Sequence, residues 1–343
     1  MAKINLITIH WGCSYGGTMQ TYATIKLLKE LGHEVTLINL VHPKFNLKNR
    51  KISLGSWIIT EILFFIFQKK HFGEMTKRMY SINKPKIPKA DFTIVGSDQV
   101  WNEDITSPIN MSYFLDFEDD SVKVSFSSSF GKSTWESDKK VTELVKSQLM
   151  RFKALSVREE SGVRLCKEVF GQNAVHVLDP TLVYEHYDEL LHDVNPTAVI
   201  YPFLLINTKD TFEICKTVSK ETGLSILEMP KIKNIFTSGP TSWLRRIKSS
   251  EFIVTDSFHG LAFSIIFHKR FLVVCANEKK FTRLQSLLTL LNLNDRYIRS
   301  VDDLRSRLNI INTEIDYDEV EKVLHDERQK AIRFLKENLD DHR

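Results

Sequence analysis

The sequence predicts an α/β fold of doubly wound parallel sheets, and three observations carry that reading. Short apolar runs alternate with segments of helical spacing along the whole chain. The polar, glycine-containing clusters fall where strands are expected to end, which is where open parallel sheets bind ligands. With 343 residues and 42% hydrophobic side chains, the chain can bury two cores rather than one.

Taken in order, "KINLITIH" reads as a strand and "WGCSYGG" as a glycine-containing loop. "TMQTYATIKLLKELG" reads as a helix, with Met19, Ala23, Leu27 and Leu31 at helical spacing and Gly32 as its C-terminal cap. "HEVTLINL" is the next strand. "DFTIVGSD", "VKVSFSSS", "KALSVREESG" and "AVHVLDP" each read as a strand running into a loop or helix start. A second set comes after these: strand "TAVIYPFLLI", a helix from Lys209 to Thr222, strand "LSILEMP", helix "TSWLRRIKSS", strand "EFIVTD", helix "GLAFSIIFH" and strand "RFLVVCA". The division falls near Tyr184–Pro196, a polar stretch closed by proline. Residues 1–190 and 191–343 are therefore expected to form two Rossmann-like domains facing each other across a cleft. The charged amphipathic helix from Tyr317 is free to pack back on the first domain.

Composition narrows the function. The net charge of +4, from 47 basic and 43 acidic residues spread along the chain, does not suit a nucleic-acid binder. The four cysteines Cys13, Cys166, Cys215 and Cys275 are far apart, so no zinc motif or disulfide framework is expected and a reducing compartment fits. The N-terminus lacks a signal-peptide pattern, which points to the cytoplasm. "WIITEILFFIF", within residues 54–70, is too short to span a membrane. With Lys48, Arg50 and Lys51 before it and Lys69 and Lys70 after it, it fits either a buried or dimer-forming helix or a peripheral contact at the inner face of the membrane.

The motifs leave alternatives open. The loop through Ser14, Tyr15, Gly16 and Gly17 could cradle an anion at a helix N-terminus or make a tight turn. Its glycines, at 12, 16 and 17, do not form the dinucleotide fingerprint, and the next strand ends in "LINLVHP" without an acid for a ribose. In "VGSDQVWNED" a strand runs into Ser97, Asp98 and Gln99. Asp98 is suited to take a proton from a hydroxyl and Trp101 to stack on a sugar face. An N-cap and a core tryptophan fit equally well. Ser128 ends another strand. Arg158, also just after a strand, is suited to bidentate capture of a carboxylate or phosphate, or to an ordinary ion pair. Glu159 and Glu160 fit the first turn of the next helix. In "FIVTDSFHG", Asp256 or Ser257 caps a helix, and His259 projects near its start, before Gly260. A histidine there can donate to an anion and carry a proton, with Asp256 placed to orient it. No metal-site spacing and no G-x-S-x-G elbow is present.

"SYGGTMQTYA", "VGSDQVWN", "SFSSSFG", "SVREESG", "VLDPTL", "GPTSWL" and "TDSFHGLAFSIIF", in that order, resemble the polysaccharide pyruvyltransferase family from about Gly12 to Arg296. Ser14 stands where that family often has Asn. The resemblance implies a GT-B glycosyltransferase-like architecture. It also implies transfer of pyruvate from phosphoenolpyruvate to two sugar hydroxyls, forming a cyclic ketal and releasing phosphate. It implies donor contacts at Arg158 and His259, and no nucleotide cofactor or metal. The acceptor would be a sugar in a polysaccharide or its precursor, free or lipid-linked, shaped in part by residues 39–89. Two other readings fit the same architecture: a nucleotide-sugar glycosyltransferase and a non-catalytic glycan-binding protein.

Overall fold

The computed structural model describes residues 1–43, 54–80, 87–117, 120–227, 239–275 and 278–339. The chain divides into two compact units. Unit 1 comprises Met1–Tyr184 with Glu327–Arg343, and unit 2 comprises Glu185–Asp326.

Unit 1 carries strands β1 (Lys3–Ile7), β2 (Glu34–Leu37), β3 (Glu74–Met75), β4 (Phe92–Val95), β5 (Val122–Ser125), β6 (Phe152–Ala154), β7 (Ser156–Val157) and β8 (Val175–His176). Its helices are α1 (Tyr15–Glu30), α2 (Leu54–His71), α3 (Glu103–Thr106), α4 (Lys139–Leu149), α5 (Glu160–Glu168) and α6 (Pro180–Val183). The main sheet runs β3-β2-β1-β4-β5-β6, parallel throughout, the winding order of a Rossmann fold. The strands are short and apolar because helices cover both faces of such a sheet: β4 is buried at every position. Past the end of β5 the ladder resumes through Ser128, which bridges Asp98 on one side and Val157 on the other. Parallel pairing of β7 with β8 carries it one strand further.

Unit 2 carries β9 (Thr197–Phe203), β10 (Ser225–Ile226), β11 (Ser250–Thr255), β12 (Arg270–Val274) and β13 (Tyr297–Ile298), with α7 (Lys209–Thr222), α8 (Pro240–Ser249), α9 (Phe258–Ile266), α10 (Glu278–Leu290) and α11 (Val301–Ser306). The order β10-β9-β11-β12-β13 is again all parallel, the other common doubly wound order. The strand expected over "LSILEMP" is confined to Ser225–Ile226, and residues 228–230 lie outside the described residues. Helix α12 (Tyr317–Leu339) closes the chain, and its last turns count with unit 1. There the buried Arg328 donates from Nε to the Leu182 carbonyl at 2.9 Å.

The first helix starts three residues before its expected beginning. Ser14 is its N-cap, accepting from the Gly17 amide at 3.1 Å, so Tyr15, Gly16 and Gly17 form its first turn rather than a loop. Residues 44–53 and 81–86 of the stretch expected to shape the acceptor site, with the basic residues before α2, lie outside the described residues. None of the four cysteines forms a disulfide.

Candidate functional site

In an open parallel sheet, ligands bind beyond the carboxyl ends of the strands where the winding reverses. That point lies between β1 and β4 in unit 1 and between β9 and β11 in unit 2. Most candidate residues follow a strand beside one of these points. Ser128 belongs to the ladder next to β4, and Arg158 follows β7, one step further along that ladder.

In unit 1 the edge is tied together by buried polar side chains. Gln20 donates from Nε2 to Thr8 Oγ1, the Ile9 carbonyl and the Gly17 carbonyl, pinning α1 to the end of β1. Thr8 Oγ1 donates to the Ser97 carbonyl, pinning β1 to the end of β4. A Cβ on Gly96 would come within 2.9 Å of Thr8 Cβ, so the two strand ends meet at van der Waals contact only with glycine there. Beyond them the backbone turns left-handed at Gly12, Cys13, Asp98 and Ser127, with φ of 87°, 52°, 71° and 57°. Non-glycine residues in that region cost about 1–3 kcal/mol each, and such residues concentrate at functional sites.

Arg158 sits at the centre of this edge, and its environment corrects the expectation of an open guanidinium fork. The side chain is 1% exposed. Nη1 donates to Asp179 Oδ2 at 2.9 Å, Nε reaches Glu159 Oε1 at 3.4 Å, and Nη2 lies 3.8 Å from Asp98 Oδ1. Burial alone would lower its pKa. The carboxylates of Glu159, Asp179 and Asp98 outweigh that and hold it above the ordinary arginine value. Ser97 Oγ donates to Asp179 Oδ2 at 2.7 Å, and Ser129 Oγ donates to Glu159. Asp98 is the member of the cluster that reaches outward, with its side chain 14% exposed.

Other expectations are corrected here. Trp101 does not offer a sugar-stacking face. It is buried, stacked on Phe114 at 5.6 Å, and its Nε1 donates to the Tyr113 carbonyl. Gln99 Oε1 accepts from Asn102 Nδ2 and lies where a Cβ on Gly131 would fall, so it braces the loop after Ser129. Ser128 is buried and donates to the Gly96 carbonyl. Glu159 is not a solvated first-turn acid but a buried N-cap residue turned onto Arg158, whereas the exposed Glu160 pairs with His176 at 3.0 Å. Asp179 also stands just after an expected strand, in "VLDPTL", where the sequence reads a turn and assigns it no role. It does cap α6 through the Thr181 amide, while its other oxygen serves Arg158. Glu159 stands in the same strand-end cluster as Arg158, but the sequence does not tell it from Glu160, since adjacent glutamates separate only by burial.

In unit 2, β11 ends at Thr255, whose Oγ1 donates to the Phe203 carbonyl at 2.7 Å and accepts from the Ser257 amide. Ser257 is the N-cap of α9 and accepts from the Gly260 amide at 3.3 Å. A Cβ on Gly260 would fall 2.3 Å from Thr255 Oγ1 and 2.9 Å from Phe203, so only glycine lets α9 start this close to the sheet. His259 lies in the first turn, 7% exposed, with its ring edge-on to Phe258. Asp256 holds a different partner from the one expected. Its two oxygens accept from the backbone amides of Leu205 and Ile206 at 2.6 and 2.8 Å, fixing the loop after β9. The remainder of α9 is apolar except for the buried Ser264, whose Oγ donates to the Gly260 carbonyl at 2.7 Å.

A hollow of about 520 Å³ in unit 2 is lined by Thr197, Ser250, Lys269 and Arg270 among others. These residues stand at the amino ends of β9, β11 and β12, the wrong end of a parallel sheet for substrate. Among the described residues no group of three or more His, Cys, Asp or Glu is placed to hold a metal ion.

Two parallel doubly wound units with polar clusters at their strand ends define a Rossmann-type α/β scaffold. The family model for polysaccharide pyruvyl transferase matches residues 15–278, and the chain belongs to that family. The family implies a transferase that pyruvylates a polysaccharide or sugar acceptor. Among solved structures, a putative UDP-N-acetylglucosamine 2-epimerase from Listeria monocytogenes is 10% identical, with a TM-score of 0.54 over 99% of this chain and 97% of that one. A glycosyltransferase from Rickettsia africae is 11% identical, with a TM-score of 0.53 over 98% and 97%. At such identity these likenesses bear on the fold alone, which is of the GT-B kind. Among curated proteins none gives a significant sequence match.

Proposed function

We propose that the protein transfers pyruvate from phosphoenolpyruvate to two hydroxyls of one sugar, forming a cyclic ketal and releasing phosphate. The observation that carries this reading is the family match over residues 15–278, which takes in Asp98, Arg158 and His259. The donor is a small polyanion. Helix α9 offers it amides at an N-terminus and an imidazole in the first turn, with the nearby carboxylate of Asp256 already committed to backbone. The unit 1 cluster is a poorer anion site, because three carboxylates surround one guanidinium. It suits a hydroxyl acceptor, with Asp98 taking the proton and Arg158 acting as a positioning residue that holds Asp98 in its left-handed turn. Ser257, Gly260 and the first turn of α1 from Ser14 to Gly17 frame the two edges.

The chemistry balances. One sugar oxygen adds at C2 of the donor as C3 takes up a proton. Phosphate leaves with the C2–O bonding pair, and the second hydroxyl closes on the oxocarbenium-like carbon. Of the two hydroxyl protons, one is matched by the methyl group and the other leaves with phosphate. His259 is the acid or phosphate contact in this scheme.

Calorimetric titration of phosphoenolpyruvate, UDP and GDP into wild type and His259→Ala tests it. Binding of phosphoenolpyruvate but neither nucleotide, weakened in the variant, is expected. Loss of the imidazole should lower phosphate release by about 100-fold or more. Nucleotide binding in place of donor binding would move the assignment to ordinary glycosyl transfer.

A further inference from the structure

Helix α2 has an inner face that docks on unit 1 and an outer face turned to solvent. On the inner face Phe64 and Phe67 are buried. Their rings lie 5.3 Å from Tyr15 and 5.9 Å from Tyr22. Glu61 Oε1 accepts from Cys13 Sγ at 3.0 Å, and Gln68 Nε2 donates to the His10 carbonyl at 2.8 Å. The outer face carries Ile58, Ile62, Phe65 and Ile66, exposed by 44%, 48%, 50% and 54%. Their spacing at i, i+4, i+7 and i+8 makes a stripe about 100° wide.

At its end this stripe carries two lysines of α2, and the acid Glu74 follows in β3. Lys69 continues the stripe one turn further, its Nζ 5.7 Å from the Phe65 ring centroid, and Lys70 is exposed beside it. Lys29 Nζ lies 2.7 Å from where a Cβ on Gly73 would stand, which brings a third ammonium to this end of the helix. The one acid of α2, Glu61, is turned away onto Cys13. No described helix is long and apolar enough to cross a membrane. A helix apolar on both faces, whose outer face is half-exposed and ends in lysines, leaves an apolar patch that a bilayer interface can cover.

We infer that the outer face of α2 docks on an anionic membrane surface. Ile58, Ile62, Phe65 and Ile66 enter the headgroup boundary, while Lys69 and Lys70 meet lipid phosphates. A second copy of the chain fits this face less well. A helix seam would draw Lys69 into a desolvated apolar contact, whereas a lipid interface lets its ammonium snorkel to the phosphates. Because the inner face of α2 holds Cys13, Tyr15 and His10, docking sets the start of α1 beside the bilayer. If the transfer reading above holds, and only then, the acceptor is a lipid-linked sugar.

The test is co-sedimentation of the full chain with vesicles of phosphatidylcholine alone and of phosphatidylcholine with phosphatidylglycerol at two to one. Wild type is expected to pellet with the anionic vesicles at low salt and to come off at high salt. Lys69→Glu with Lys70→Glu should lower partitioning roughly thirtyfold or more, with an unchanged circular dichroism spectrum. Ile62→Ser with Phe65→Ser and Ile66→Ser should abolish it. Equal or absent binding of wild type to both vesicles overturns the inference. So does a dimer in sedimentation velocity that the serine variant converts to monomer without any vesicle binding. Phosphoenolpyruvate binding is measured separately by calorimetry. Vesicle binding without donor binding leaves the docking and sinks the transfer reading, and donor binding without vesicle binding does the opposite.

Discussion

At Ser14–Gly17 a serine after a strand caps a helix through the amide three residues on, and at Ser257–Gly260 a serine does the same. In both turns an aromatic comes after the cap and a glycine at the third helical position lets the helix close on the sheet. A Cβ would meet the Ile9 carbonyl at 2.9 Å in the first turn and Thr255 Oγ1 at 2.3 Å in the second. The turns part at the second helical position, which is Gly16 in one and His259 in the other. They part again in how they treat charge. Unit 1 gathers Arg158, Asp98, Glu159 and Asp179 into a buried cluster beside its switch point, while unit 2 uses Asp256 on backbone amides. The same local architecture thus serves a buried, ion-paired edge in one unit and an edge that keeps an imidazole at a helix N-terminus in the other.

The largest effect should come from breaking the ion-paired edge. Arg158→Ala leaves three carboxylates without their cation and is expected to cost about 3–5 kcal/mol in denaturant unfolding. Loss of donor binding in that variant would therefore report unfolding as much as contact. A variant that loses less than about 1 kcal/mol would show that the cluster is not electrostatically coupled.

Next come the two close-approach glycines. Gly260→Ala should destabilise by about 1–3 kcal/mol, because moving Thr255 Oγ1 breaks its bond to Phe203 and its support of Ser257. Gly17→Ala, against a backbone oxygen at 2.9 Å, should cost no more than that. The reverse ranking in thermal unfolding would undo the parallel between the turns. Smaller still, Ser14→Ala and Ser257→Ala should each cost about 1 kcal/mol of stability. Only the second is expected to weaken phosphoenolpyruvate binding, since it loosens the turn that holds His259.

The smallest effect is a pH dependence confined to unit 1. His10 is buried, and burial lowers its pKa below 6.5 despite its bonds to Asn39 and the Thr8 carbonyl. A depressed folded pKa means that the unfolded chain binds the proton more readily. The neutral ring's contribution is thus present above 6.5 and lost as pH falls through the lowered folded value. Melting temperature should drop on acidification from about pH 7 to about pH 5, less steeply in His10→Gln. An equal slope in the variant would assign the effect to other groups.

Much of the fold is legible in the sequence because apolar runs and helical spacing report burial directly. Helix Lys209–Thr222 falls where its spacing places it, and the strands before Gly96 and Asp256 end at the expected polar clusters. Illegible is whatever depends on which way a side chain turns. Trp101 after a strand looks the same whether it faces a sugar or Phe114, and Glu159 and Glu160 look alike until one is buried. The early start of α1 is hidden because Gly16 and Gly17 read as loop, while Ser14 caps the helix in spite of them.

Helix α12 runs out of unit 2 and ends as part of unit 1, where Arg328 bonds the Leu182 carbonyl. During synthesis, the whole of unit 2 therefore emerges before unit 1 receives its last helix turns. Domains generally fold as they leave the ribosome, so the first unit made is the last one finished. A chain stopped at Asp326 is expected to yield a protease-resistant unit 2 beside a protease-sensitive unit 1, an order opposite to that in which the ribosome delivers them.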